Sequence, residues 1–420
     1  MKSIVRKCLA GLMLLAAMAA AIQLAAQSQG HNKGHARYQV TSLGTLGGTS
    51  SIANGINNKG WVTGQANLQG DQTGHAFLWQ KRSGMTDLGT LGGPNSSVNW
   101  PVKDDIGLIA GVSDTSNTDP LGENFCGFGT GLICLGFLWH QGVMTPLPTL
   151  GGNNSYATAV NNRGQVVGFA ENSSQDPTCI APQVLDLEAV LWGPKPGEIH
   201  ELPPLSGDSI AGAAAINDRG QVVGTSGACM SPSPLAHAVL WQNGSVIDLG
   251  TLGGALNNLA TGINERGDVI GFSDLAGDAT SHAFLWTKHN GMQDLGTLPG
   301  DFSSSAFGIN EEGQVVGQSC DQNNNCRAFL WENGVMTDLN TLVCHGSSLY
   351  LTYGGDINDG GVIVGQAFDP NTGDTPTFLA IPGGHGDDCE ANASAGERVI
   401  LPANVRQQLK QRRGFGRVER

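Results

Sequence analysis

Three histidines stand out as groups that could do chemistry. His75, His237 and His282 each open a short His-Ala-Phe/Val-Leu-Trp segment, and each is followed eleven or twelve residues later by an aspartate: Asp87, Asp248 and Asp294. An imidazole near a carboxylate is the usual raw material of a general base or a metal ligand. A fourth aspartate, Asp338, follows a segment in which Arg327 takes the place of histidine. Tryptophans close the same segments at Trp79, Trp139, Trp192, Trp241, Trp286 and Trp331. Recurrence at one position of a repeated unit spreads these groups through the fold and does not gather them. Each histidine is therefore read as a structural hydrogen-bonding group and each aspartate as a tie to the Gly-rich loop that follows it. Each tryptophan is read as packing between repeats.

The remaining candidates lie in loops that differ between repeats: Asp114, Asp119 and Glu123, then Glu171, Asp176 and Asp186. Oxygen-rich loops of this kind suit ligand binding on a rigid scaffold, and calcium is the cofactor they would accept if any. No EF-hand or GGxGxD pattern accompanies them, so no cofactor is the leading expectation. No GxSxG, HExxH or P-loop appears. Paired carboxylates for glycoside chemistry remain open, because an all-β ring can bring them together from distant segments.

Two alternating elements position these groups. One is the aromatic segment with its following Asp-Leu-Gly, separated by turns such as Gln242-Asn243-Gly244; the other is typified by Ile216-Asn217-Asp218-Arg219-Gly220-Gln221-Val222-Val223-Gly224. Both read as hairpins whose Asn/Asp-x-Gly loops let glycine take the positive φ of the turn. The second element is found seven times, with a degenerate copy at Val102–Gly107. The Leu of each Leu-Gly-Thr-Leu-like segment recurs at Leu43, Leu88, Leu147, Leu202, Leu249, Leu295 and Leu339. Four strands in each repeat of this length predict an all-β, seven-bladed β-propeller of four-stranded blades. Six or eight blades would follow if the degenerate copy is miscounted. The first segment, Tyr38 to Gly44, has no aromatic partner, and the last, Thr377 to Ile381, has no following outer strand. The N-terminal strand is thus expected to complete the last blade and remove the open edge.

The HAFLW, DLGTLGG and GINxxGxVVG combination resembles the HAF family of extracellular repeats across about residues 38–384. That resemblance implies export and a propeller-like array, with no assigned catalytic residues. Residues 1–26 read as a signal peptide: Lys2, Arg6 and Lys7 precede an apolar run from Leu9 to Ile22 and a small-residue end at Ala25-Ala26. A linker at 27–37 and a tail at 385–420 flank the repeats, and the tail holds a candidate short basic helix with Val405 and Leu409 on one face, or else a solvated end.

The eight cysteines after Cys8 suit an exported chain with disulfides. Cys126 with Cys134 and Cys320 with Cys326 are the simplest local pairs; Cys179 and Cys229 occupy equivalent loops, and Cys344 and Cys389 remain. Sequence alone leaves that connectivity open.

With 14% charged residues and a formal net charge of −14 in 420 residues, the chain is a poor partner for nucleic acid. The expected protein is secreted or periplasmic, monomeric, and without a stable membrane span once the signal is cleaved. It is expected to bind a protein or glycan through the long loops of repeats 2–4, without catalysis. A secreted polysaccharide hydrolase or lyase and a cell-surface adhesion module are the alternatives.

Overall fold

The computed structural model describes residues 36–101, 105–177, 179, 181–229, 236–383 and 398–411. The predicted signal peptide, most of the linker, Cys389 and most of the tail lie outside the described residues.

Seven four-stranded antiparallel sheets form a seven-bladed β-propeller. Blades 1 to 6 span residues 47–87, 92–146, 151–202, 210–248, 253–294 and 303–338. Blade 7 takes three strands from 350–382 and its fourth from Tyr38–Gly44, in register from Tyr38 opposite Pro382 to Gly44 opposite Thr377. Ring closure by the N-terminal strand is therefore as the sequence predicts.

In each blade the first strand is innermost, and from blade 3 round to blade 1 each meets the first strand of the next blade. Small and branched residues pack between consecutive sheets. Ala159, Val167 and Ala189 of blade 3, for example, form one cluster with Ala211, Val239 and Trp241 of blade 4. The tryptophans lie in these seams, as at Trp331 between blades 5 and 6. Two of them also donate from the indole to the connection leading into their own blade, Trp192 to Pro148 O (2.9 Å) and Trp241 to Pro203 O (2.7 Å).

The Gly of each Val-Val-Gly strand has a steric cause. The innermost strand carries a bulge opposite it, as between Ala157 and Ala159. A Cβ on Gly168 would sit 1.9 Å from Tyr156 O, and one on Gly365 would sit 1.9 Å from Tyr353 O. Only a residue without a side chain fits there.

The Ile-Asn hairpins gather on one face, here called the turn face, where they make a hydrogen-bonded ring. In each turn the Asn side-chain oxygen caps its own loop; Asn161 Oδ1 accepts from Arg163 N and Gln165 N. Its amide donates onward to the next blade: Asn161 to Asn217 O, Asn217 to Asn264 O, Asn264 to Asn310 O, Asn310 to Asn358 O and Asn358 to Asn57 O, all at 3.0–3.2 Å. A second circuit runs through the following residue. The backbone N–H of Asn58, Asp105, Asn162, Asp218, Glu265, Glu311 and Asp359 each donates to the side chain of the next member, and Asp359 returns to Asn58. The Asn of the repeat is thus a link between blades as well as a turn residue.

Residues 398–411 of the C-terminal segment are docked on the propeller. Helix α1 (Ala403–Gln411) buries Val405 and Leu409, together with the preceding Leu401, among Tyr350, Phe368 and the innermost-strand residues Ile52, Phe307 and Tyr353. Arg398 pairs with Asp301 and Asp321, and Leu401 N donates to Asn325 Oδ1 at 3.0 Å. The helix therefore covers blades 6 and 7 on the loop face, opposite the turn face.

Among the described residues no helix is long and apolar enough to cross a membrane.

Candidate ligand-binding face

The repeat histidines and aspartates are dispersed, one pair per blade. His75 Nδ1 lies 2.9 Å from the Asp87 carboxylate, His282 Nδ1 3.0 Å from Asp294 and His237 Nδ1 3.3 Å from Asp248. Each aspartate also accepts from the loop after it: Gly89 N (2.7 Å), Gly250 N (2.8 Å) and Gly296 N (2.7 Å). In blade 6, Arg327 reaches Asp338 at 3.0 Å and Asp301 at 2.8 Å, and Asp338 accepts from Asn340 N.

The loops between second and third strands share the loop face with the connections between blades. Short parallel bridges record that proximity, such as Leu150 with Asn172 and Leu252 with Leu275. Blades 2 and 3 carry long versions side by side, blade 4 contributes Cys229, and two kinds of link bind them into one wall.

The first link is polar. Glu123, on the blade 2 loop, accepts through Oε1 from Val184 N (2.7 Å), Leu185 N (2.9 Å) and Gln183 Nε2 (3.2 Å) of the blade 3 loop. Glu171 accepts from Gln183 Nε2 (2.8 Å), Asn154 N (2.9 Å), Asn154 Nδ2 (3.0 Å) and Asn153 N (3.2 Å). Asp119 accepts from the same Asn154 amide at 2.9 Å and from Leu121 N at 2.7 Å.

The second link is covalent. Cys126–Cys134 closes the blade 2 loop, and Cys179–Cys229 joins the loops of blades 3 and 4. Cys320–Cys326 closes a loop of blade 6, and Cys344 is also disulfide-bonded.

The six carboxylates expected to contact a ligand are thereby placed. Asp119, Glu123 and Glu171 converge on Asn154 and Gln183, all of them buried. Asp114 is buried apart from them and accepts from Asn95 Nδ2 at 3.1 Å. Asp176 and Asp186 lie at the foot of the blade 3 loop, where Asp186 Oδ2 accepts from Asn172 Nδ2 at 3.1 Å. Asp114, Asp119, Glu123 and Glu171 hold the wall together from inside; they do not present its surface.

What the wall offers outward is aromatic. Phe125 at the loop tip packs on Phe169 (5.5 Å between ring centroids), which stacks on Tyr156 of the innermost strand (4.8 Å, 12° between planes). Phe125 and Tyr156 are half-buried, and the Tyr156 hydroxyl is held by Asn99 Nδ2. None of these rings belongs to the repeat motif, so counting repeats does not mark them. Aligning the copies on the Val-Val-Gly strand places a tyrosine at this innermost-strand position in two blades, Tyr156 and Tyr353, where blades 1, 4, 5 and 6 carry Ile52, Gly212, Leu259 and Ser305.

Burial, and after it the charge of Glu123, pushes the Glu171 carboxyl up from 4.5 to about 8; burial, with Asp186 and Glu201 adding to it, does the same for Glu188. A carboxyl whose folded value is raised takes up a proton on folding between the two values. Its stabilisation is fully present below pH 4.5 and is lost as the pH rises through about 8. The urea midpoint should accordingly fall between about pH 6 and 9, by on the order of 2 kcal/mol in stability. Glu171→Gln should remove about half of that slope, leaving the Glu188 share. A wild-type midpoint that stays level or rises across this window would contradict the assignment.

Among the described residues, the only three candidate metal-ligand atoms mutually within 4.8 Å belong to Asp176, Cys179 and Cys229. The two sulfurs are bonded to each other, so the trio is not a thiolate metal site.

Fold and site together define a seven-bladed propeller with a braced loop wall beside its innermost strands. No protein-family model matches the chain, and no curated protein does. Among solved structures it is similar to the acylaminoacyl peptidase of Pyrococcus horikoshii (10% identity, TM-score 0.49), covering 87% of this chain and 55% of that one. TolB from Acinetobacter baumannii is similar at 14% identity and TM-score 0.41, covering 83% and 66%. The six-bladed fucose-recognising Aleuria aurantia lectin is similar at 8% and 0.36, covering 82% and 95%. The chain thus spans about half the length of the peptidase and about two thirds of TolB. These likenesses concern the propeller fold and carry no argument about activity.

Proposed function

We propose that this chain is an exported, non-catalytic binding propeller of the HAF type that holds a protein or glycan partner on the wall of blades 2–4. The observation that carries this is the bracing: Glu123 and the Cys179–Cys229 bond lock three adjacent loops into one body. A surface fixed before the partner arrives loses little conformational freedom on binding. The half-buried rings of Phe125 and Tyr156 give it an apolar platform with polar neighbours, the usual composition of a recognition site. Glu171, with no exposed surface and both oxygens engaged, is a brace and not an acid–base group.

The test is a glycan array and a pull-down with the purified mature chain, repeated with Phe125→Ala. Binding should weaken about tenfold or more in the variant while its thermal unfolding stays within a few degrees of wild type. Unchanged binding moves the site elsewhere, and cleavage of an added polysaccharide replaces the reading with an enzyme.

A further inference from the structure

The propeller ring is complete without the tail. Blade 7 takes its fourth strand from Tyr38–Gly44, and among the described residues 398–411 join no sheet. They meet a prepared surface on the loop face instead. Its polar edge is the blade 6 loop closed by Cys320–Cys326. Within that loop Asp321 accepts from Asn323 N (2.8 Å), Asn325 N (2.9 Å) and Asn325 Nδ2 (2.9 Å), which fixes the loop's shape. Three of its groups then engage the tail. Arg398 pairs with Asp321, Arg406 Nη1 donates to Asn323 O at 3.3 Å, and Leu401 N donates to Asn325 Oδ1. Asp301, whose carboxylate is fully buried, also pairs with Arg398.

The apolar floor is mostly aromatic: Phe307, Tyr350, Tyr353 and Phe368, with Ile52 of blade 1. Phe307 and Tyr353 lie 4.9 Å apart between ring centroids. Leu401, Val405 and Leu409, spaced four apart, settle among these side chains, and none is more than 1% exposed. Aliphatic anchors at that spacing are how an amphipathic helix fills a groove. The occupant, by contrast, is weak. Helix α1 has nine residues, too few to be helical by itself in water. Arg406 Nε and Gln408 Oε1 are buried with no hydrogen-bond partner among the described residues, which costs docking free energy. A rigid receptor thus holds a short and imperfectly matched helix.

We propose that this groove of blades 6, 7 and 1 is a docking site for an amphipathic helix of another protein, and that α1 is its intramolecular competitor. The partner's pattern is read from α1 and its lead-in: three aliphatic anchors four residues apart, with an arginine three residues before the first to face Asp301 and Asp321. A second copy of this chain would offer the same helix without any new contact, and would lose the advantage of the tether. A foreign helix that leaves no polar atom orphaned gains on α1. The groove lies apart from the wall of blades 2–4, and the inference does not rest on what that wall binds.

The probe is a fluorescently labelled peptide of residues 398–411, titrated into the full mature chain. In the wild type, α1 competes at the high effective concentration of a tethered segment, so the peptide should bind weakly. In the full-chain variant Val405→Asp/Leu409→Asp, whose own helix cannot dock, the peptide should bind about tenfold tighter or more. Arg398→Ala in the peptide should weaken that binding about fivefold, and Leu409→Asp in the peptide should abolish it. Hydrogen exchange of the wild type needs no variant. The α1 amides should exchange about a hundredfold faster than those of the turn-face ring, because the helix opens while the ring stays closed. If α1 exchanges only together with the ring, it is a fixed part of the fold and the proposal fails. It fails equally if the folded double variant binds the peptide no better than wild type. A wild type that dimerises and is split by the peptide would assign the groove to a second copy, which overturns the foreign partner.

Discussion

Tyr38→Ala should destabilise the propeller by about 3–5 kcal/mol, the range for truncating a large buried aromatic. Tyr38 begins the strand that closes the ring and is 1% exposed. Its carbonyl accepts from Cys344 N at 2.9 Å, and its backbone forms a parallel bridge with Val343, so it is held from two sides. Removing the ring leaves a cavity at the one seam where the chain's two ends meet. Of the strand's other residues Gln39, Thr41 and Ser42 are exposed, and Val40 and Leu43 are half-buried, so Tyr38 is its one fully buried anchor. Once the strand peels away, the backbone of Thr377–Pro382 becomes an open sheet edge, which invites pairing between chains. Urea unfolding followed by tryptophan fluorescence should show the loss, and size-exclusion chromatography should show association. Gln39→Ala, on the exposed side of the same strand, should change stability by less than about 0.5 kcal/mol. If the two variants behave alike, the strand does not close the ring. Spectroscopic titration gives an independent check, because burial, and after it the charge of Glu332, pushes the Tyr38 phenol up to about 12.

That the ends meet there was legible because the repeats are long and regular. An outer strand without an inner partner at one end and a third strand without an outer one at the other have a single economical solution. The same regularity places the histidines one to a blade, as in the pairs of His75 with Asp87, His237 with Asp248 and His282 with Asp294. Other features depend on relations that spacing does not encode. The Asn of each Ile-Asn turn is obvious as a turn former, but its onward bond to the next blade's carbonyl requires the seven turns to converge on one face. The wall carboxylates looked like surface groups because Asp and Glu in loops usually are. Their burial comes from the backbone N–H groups of an adjacent blade's loop, as between Glu123 and Val184, sixty-one residues apart. Helix α1 was visible as an amphipathic stretch, yet nothing in its own residues says that Tyr350, Phe368 and Phe307 supply the surface it covers. In the sequence Glu188 stands where the other repeats carry histidine or arginine; only the register opposite Glu201 turns that difference into a charge imbalance.

Cys179→Ser with Cys229→Ser should have the other large effect, and on the wall in particular. Of the three disulfides between described cysteines, this one alone joins two blades, and its sequence separation of 50 is far larger than the 8 and 6 of the others. In the chain-entropy account a closed loop of that size constrains the unfolded state by about 4 kcal/mol, against about 2.5 kcal/mol for a loop the size of Cys126–Cys134. The double variant should therefore unfold at markedly lower urea, with Cys126→Ser/Cys134→Ser intermediate. The folded state should change as well. Without the bond, the blade 3 loop keeps its bonds to Glu123 but loses its tie toward blade 4, so hydrogen exchange should quicken in residues 176–184 while the turn-face ring stays protected. Ligand binding should weaken mainly through faster dissociation, because a loosened wall must be ordered again in each complex. If the double variant loses stability but keeps its partner with an unchanged dissociation rate, the blade 3–4 side of the wall is scaffold only. Recognition would then rest on Phe125 and the blade 2 loop.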